Sequence, residues 1–221
     1  MASDKTRERP ILFSGDMVRA ILDGRKTQTR RPVKPQPESS GFQGMTWAEL
    51  GACNKKPFGR IGDRLYVRET WTTTSYNNLC HESDSEVVYK ADGQPWEEYE
   101  GWRWRPSIHM PRWASRITLE VTGVRVERVQ DTSFEDMCAE GLLKWVSSVG
   151  RGNLGKIRPD PELPYKEYES PVEQLANELE SEMRYCWAAL WDSLYAKRGL
   201  GWDANPWAWV CEFRQITKGT K

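Results

Sequence analysis

Histidine is scarce in this chain. His81 and His109 are the only two in 221 residues, and neither stands beside a recognisable serine or cysteine nucleophile motif, which argues against a Ser- or Cys-centred triad. The five cysteines, Cys53, Cys80, Cys138, Cys186 and Cys211, are odd in number and never form a C-x-x-C pair, so neither a disulfide framework nor a standard zinc site is expected. Cys80-His81 with Cys53 fits no usual ligand spacing, and reduced thiols without a metal or a cofactor are the expectation. No apolar run approaches the roughly 18 residues that a membrane span needs. The polar start MASDKTRERP does not read as a signal peptide. A cytoplasmic chain with no membrane partner is therefore expected.

Net charge is lacking as well: 32 Lys and Arg balance 32 Asp and Glu. Such a balance argues against a protein that coats long duplexes by charge alone. The balance is uneven, because residues 1 to 60 hold twelve basic against six acidic side chains and the rest of the chain compensates. A local basic patch still suits a few phosphates. Twelve tryptophans are compatible with stacking on bases, although tryptophan-rich cores are commoner.

What is present centres on Gly24-Arg25-Lys26-Thr27-Gln28-Thr29-Arg30-Arg31-Pro32, which packs four cations and two threonines into nine residues. Before it, Met17, Val18, Ile21 and Leu22 recur at helical spacing behind Ser14, so a helix ending at Gly24 is predicted. Thr27 to Arg31 can follow as a strand that Pro32 stops. One reading of the cations is a solvated rim. The other starts from Lys26 and Thr29. A threonine hydroxyl attacks only if a base takes its proton, and a lysine is that base only when neutral, a condition that Arg25, Arg30 and Arg31 favour by like charge. Positions three apart fall on opposite faces of a strict strand, so the pair converges only if Lys26 belongs to the turn.

Further along, residues 33 to 59 read as a long loop with one helical turn at Met45–Leu50, and Gly62-Asp63 as a tight turn. Leu65 to Trp71 alternates as a strand, with Glu69 an acidic anomaly on the apolar face. Its carboxylate must be paired, either with a structural arginine or within a site. Glu86 to Lys90 is a short strand closed by Ala91-Asp92-Gly93, and the acidic, aromatic stretch through Trp104 has no clear pattern. Ile117 to Val129 is a long strand with a bulge at Gly123. Thr132-Ser133-Phe134-Glu135 is a capping box for a short helix with Glu140 as its last residue and a stop at Gly141. Residues 142 to 170 read as a lid or disordered insertion. Ser170-Pro171 starts the longest helix, striped by Leu175, Leu179, Met183, Cys186, Leu190 and Leu194 and ending at Gly199. Trp207 to Ile216 is a final buried strand. Short strands interrupted by helices, with no βαβ rhythm and no glycine-rich phosphate loop, predict an α+β fold built on a small mixed β-barrel.

The helix ending Asp23-Gly24-Arg25-Lys26-Thr27, the Thr-x-Arg after it, the Gly62-Asp63 turn and the Ala139-Glu140-Gly141 helix end resemble the ASCH domain, a relative of the PUA RNA-binding barrel. Leu190-Trp191-Asp192 with Asn205-Pro206-Trp207 is similar to ASCH proteins of bacteriophages and prophages. The resemblance implies a single domain over residues 1 to 221 in a bacterial host cytoplasm, with flanking helices and long insertions near 33–59, 72–112 and 144–170. Small ASCH amidohydrolases deacetylate N(4)-acetylcytidine with a lysine, a threonine and a glutamate, which match Lys26, Thr29 and Glu140. Arg31 matches an arginine of the family motif. On this reading Arg25, Arg30, Arg31, Tyr66, Glu69 and Trp71 contact substrate, and the partner is a nucleoside or single-stranded nucleic acid, RNA ahead of DNA. Other ASCH proteins are described as ribonucleases or RNA binders, so a non-catalytic reader of modified bases is the alternative.

Overall fold

The computed structural model describes residues 6–37, 57–73, 86–93, 103–142 and 171–216, with side chains from 177 onward in the last stretch. The fold is α+β. Strand β1 (Glu8–Leu12) leads to helix α1 (Gly15–Leu22) and strand β2 (Gln28–Pro32). Strands β3 (Arg64–Arg68), β4 (Trp71–Thr73) and β5 (Val87–Tyr89) follow, then β6 (Thr118–Arg128), helix α2 (Phe134–Ala139), helix α3 (Pro171–Tyr195) and β7 (Trp207–Ile216). Five strands are hydrogen-bonded in the order β1-β3-β6-β7-β2, with β1 and β2 at the two ends of the order, and β4 pairs with β5 in a separate two-stranded sheet. β1 and β3 are parallel, Pro10 opposite Tyr66, whereas β3 and β6 are antiparallel, Tyr66 opposite Thr118.

The chain divides into two compact units interleaved along the sequence: Met1–Thr29, Met45–Arg125 and Val210–Lys221 form the first, Arg30–Gly44 and Val126–Trp209 the second. In the first, the predicted burial alternation holds, but the single strand expected from Leu65 to Trp71 divides: β3 stops at Arg68 and Trp71 opens β4 in the other sheet. Leu65, Val67, Glu69 and Trp71 are buried while Tyr66, Arg68 and Thr70 are partly exposed. Ile11, Val18, Ile21, Ile117, Leu119, Val121 and Val210 complete this core, with the Phe13 and Phe213 rings 6.2 Å apart. The Gly62-Asp63 turn forms as expected: Gly62 adopts φ +87°. The Asp63 carboxylate accepts the backbone N–H groups of Arg7 and Arg60, both at 2.9 Å. Burial raises the Asp63 carboxyl, but those N–H groups and the charges of Arg9 and Arg7 outweigh it and hold the group below its ordinary value. β6 runs as one strand through Gly123. A Cβ at Gly123 would come within 2.4 Å of the Glu212 carboxylate and 3.3 Å of its Cβ, so a side chain there would require Glu212 to shift.

In the second unit the predicted capping box shifts by one residue. Ser133 is the N-cap and its hydroxyl accepts the Asp136 N–H at 3.2 Å, so helix α2 starts at Phe134 and ends at Ala139, with Glu140 as C-cap. Helix α3 corrects the predicted stripe. Leu179 and Leu194 are exposed, and the buried face is Met183, Cys186, Trp187, Trp191 and Tyr195. Indoles four apart present more apolar area than the leucines beside them, and they pack on Val129, Met137, Leu142 and Ala208. Trp187 and Trp191 lie 5.7 Å apart, Trp191 and Tyr195 4.6 Å. The helical turn expected at Met45–Leu50, most of the 142–170 insertion and the Cys53 and Cys80-His81 group lie outside the described residues. Among the described residues no helix is long and apolar enough to cross a membrane.

Candidate functional site

The basic motif is built by the exit from α1. Asp23 caps the helix, Gly24 takes φ +71°, and the backbone N–H groups of Arg25 and Lys26 both reach back to the Ala20 carbonyl at 2.9 Å. Lys26 therefore belongs to the turn, the condition that the sequence set, and β2 begins only at Gln28. Lys26 is 2% exposed, Gln28 2% and Thr29 0%. Lysine and glutamine are seldom fully buried. Lys26 Nζ stands 5.8 Å from the Phe13 ring centroid, within cation–π range. Among the described residues, neither the nitrogen nor the oxygen of the buried Gln28 carboxamide has a hydrogen-bond partner. Leaving such a donor and acceptor dry costs about 1–3 kcal/mol each.

The arginines of the motif divide among three roles. Arg25 is partly exposed and pairs with Asp23 at 2.7 Å, an arrangement of small energetic weight. Arg30, expected at a substrate phosphate, has a side chain with no exposure. In the second unit its Nε donates to Glu127 at 2.9 Å, its Nη2 to Glu127 and to Asp136 at 2.6 Å, and its Nη1 to Glu140 at 3.1 Å. The guanidinium also lies 5.8 Å from the Trp187 ring. Its fork matches carboxylates in several directions at once, which lysine cannot do. Arg31 is half-buried and donates from Nη1 to the Arg30 carbonyl at 2.8 Å. Burial pushes the Tyr195 phenol above its ordinary value, with Arg31 lowering it and Glu140 raising it.

Lys26 and Thr29 thus belong to the first unit and Glu140 to the second, where the carboxylate is one of three around Arg30. Glu127 and Asp136 carry no sequence signal of this role. Glu127 is one of several charges on β6, and Asp136 reads as an ordinary acidic residue in a first helical turn.

Glu69, 1% exposed, is answered by Arg116: Nε to Oε1 at 3.0 Å and Nη2 to Oε2 at 3.1 Å. Arg116 also holds Asp92, at 2.9 and 2.7 Å, and stacks 3.9 Å from the Tyr89 ring centroid. This is the structural-partner branch of the sequence reading. Burial raises the Glu69 carboxyl above its ordinary value, against the Arg116 hydrogen bond and charge that lower it. A group raised in the folded state binds its proton more tightly there than in the unfolded chain. Its stabilising contribution therefore grows as pH falls from the raised value toward the ordinary one. Glu69→Gln should remove that component, so urea midpoints measured from neutral to mildly acid pH should rise less steeply for the variant than for wild type. Parallel curves would show that Glu69 does not titrate in this window.

Tyr66 lies on the partly exposed face of β3, with the Arg112 and Arg68 guanidinium carbons 5.2 and 6.0 Å from its ring centroid. Trp71 is 2% exposed and packs with Met110 and Ala114, edge-on to Trp113 at 5.8 Å. Cys138, Cys186 and Cys211 are free thiols, and burial raises the first two above the ordinary range. Among the described residues no group of His, Cys, Asp and Glu is arranged to hold a metal ion. In comparisons with known proteins, the chain matches no family model, no curated protein and no solved structure.

Proposed function

We propose that this chain handles a modified nucleoside and hydrolyses an acyl amide of the N(4)-acetylcytidine type through Lys26 and Thr29, within an ASCH-like, PUA-type barrel. The observation that supports this is the burial of Lys26, Gln28 and Thr29 within four residues, with the Gln28 carboxamide lacking any hydrogen-bond partner among the described residues. A carboxamide offers a donor beside an acceptor, the complement of the amide edge of a pyrimidine base.

In the reaction the neutral Lys26 amine takes the Thr29 hydroxyl proton and Thr29 Oγ forms a bond to the amide carbonyl carbon. As the C–N bond breaks, the Lys26 ammonium returns the proton to the leaving nucleoside amine. Water then attacks the threonyl ester, releases the carboxylic acid and restores the hydroxyl. The motif match also names Glu140 and Arg31, but both belong to the second unit, where Glu140 pairs with Arg30. The runner-up is a reader that binds the nucleoside through the Gln28 carboxamide without chemistry.

The direct test is release of the free amine from N(4)-acetylcytidine and related acylated nucleosides by the purified protein. A second test uses Gln28→Met, which keeps the volume and removes the unpartnered polar atoms. It should raise the urea midpoint and weaken nucleoside binding by about tenfold, since hydrogen bonds to the base are lost while a folding penalty is relieved. Loss of stability with unchanged binding would show that Gln28 serves the fold and not a ligand.

A further inference from the structure

A second surface of the first unit has no part in the site above. Residues 103–113, Arg-Trp-Arg-Pro-Ser-Ile-His-Met-Pro-Arg-Trp, hold two short 3-10 turns (Ser107–His109 and Arg112–Ala114) fastened along β3 and β4. Trp71 and Arg105 exchange backbone hydrogen bonds at 3.3 and 2.8 Å, and Thr72 Oγ1 donates to the Arg103 carbonyl at 3.2 Å. Arg68 Nε donates to the Met110 carbonyl at 2.7 Å. Arg112 spans Glu8, at 2.8 and 2.7 Å, and Thr118, at 3.2 Å, beside the Tyr66 ring. An irregular segment is in this way held by strand edges and side chains.

Three segments of the first unit are rich in arginine: residues 6–12, 60–68 and 103–113 carry eight of the chain's 20 arginines, no lysine, and only Glu8 and Asp63 as acids, although Arg9 shares the face of Ile11 and Leu65 and Glu120 stands opposite Arg64 on β6. Asp63 is itself buried in its turn. Arg64, Arg103 and Arg105 are exposed, as are Trp113 at 43% and Ile108 at 55%, and the Arg105 guanidinium lies 5.0 Å from the Trp71 ring that Trp113 also meets. The Trp113 indole is oriented by its edge contact with buried Trp71, interplanar angle 89°. A solvated charged face has no need of an exposed indole oriented on the same ring that an arginine covers. A strand of bases and phosphates uses both, because arginine forks match phosphate and aromatic faces stack on bases.

We propose that this surface is a platform for single-stranded nucleic acid, with a base stacked on Trp113 and phosphates held by Arg103, Arg105 and Arg64. It stands apart from the Lys26 and Thr29 reading, and if both hold, the amide acted on is borne by a base within a strand. The test is fluorescence anisotropy with a labelled single strand of about 20 nucleotides, long enough to cross the platform, as RNA and as DNA. Wild type should bind in a salt-dependent way and prefer the single strand to the matching duplex. Trp113→Ala should weaken binding by about tenfold or more. Because Trp113 also touches the core, the exposed pair Arg103→Ala/Arg105→Ala is measured beside it. The loss of two phosphate contacts should reduce the slope of log affinity against log salt by about 1.4. Any one of three results overturns the proposal: no binding by wild type at low salt, binding and slope unchanged in the arginine variant, or competition by poly-glutamate as effective as by unlabelled single strand. Since the readout is binding, it fails or succeeds independently of deacylation.

Discussion

Thr29→Ala and Lys26→Ala are each expected to reduce release of free amine from N(4)-acetylcytidine by orders of magnitude while leaving nucleoside binding within about tenfold. The contrast follows from what each role requires. A nucleophile or its base cannot be spared, whereas a hydroxyl that only contributes one hydrogen bond to a ligand is worth about 0.5–1.5 kcal/mol net. Loss of turnover with binding retained locates the two side chains in the chemistry. Thr29→Ser keeps the oxygen and should retain measurable turnover, which separates a lost nucleophile from a disturbed strand, since Thr29 is completely buried in β2. If wild type binds acylated nucleosides and releases no amine from any of them, the reader replaces the hydrolase. If it neither binds nor cleaves, only the fold proposal is left.

Arg30→Ala should be the most damaging substitution for stability in the second unit. It removes the cation against which Glu127, Asp136 and Glu140 are all set, and Glu140 is almost fully buried. Breaking a buried ion pair by deleting one partner costs about 3–5 kcal/mol, because the other charge is left without compensation. Against a total folding stability of about 5–15 kcal/mol, that is enough to unfold a marginal protein. Arg30→Lys restores the charge and not the fork. A single ammonium cannot serve carboxylate acceptors on three sides, so an intermediate urea midpoint is expected. An Arg30→Ala protein as stable as wild type would mean that the three carboxylates find equivalent partners without it. The comparison also bears on how the basic motif is understood. Arg30 is a structural hub, and Arg31 and Arg25 are more accessible than Arg30.

Local pattern was enough for much of this molecule. The two-residue period from Leu65 to Trp71, the aromatic and aliphatic run from Trp207 to Ile216, and the glycine after α1 specify strands and a helix end by backbone chemistry within a few residues. The same locality placed Lys26 in a turn ahead of β2, and required some partner for Glu69. Tertiary structure alone decided which partner. Arg116 is 47 residues from Glu69, and the carboxylates on Arg30 are 97, 106 and 110 residues away, at separations where every surface arginine is an equal candidate in the sequence. It also decided which stripe of α3 is buried, because Trp187, Trp191 and Tyr195 outweigh Leu179 and Leu194 only against a particular neighbouring surface. Periodicity is a property of consecutive residues and can be read from them. Charge pairing and side-chain packing are settled by which distant segments the sheet brings within a few ångströms, and no local signal records that.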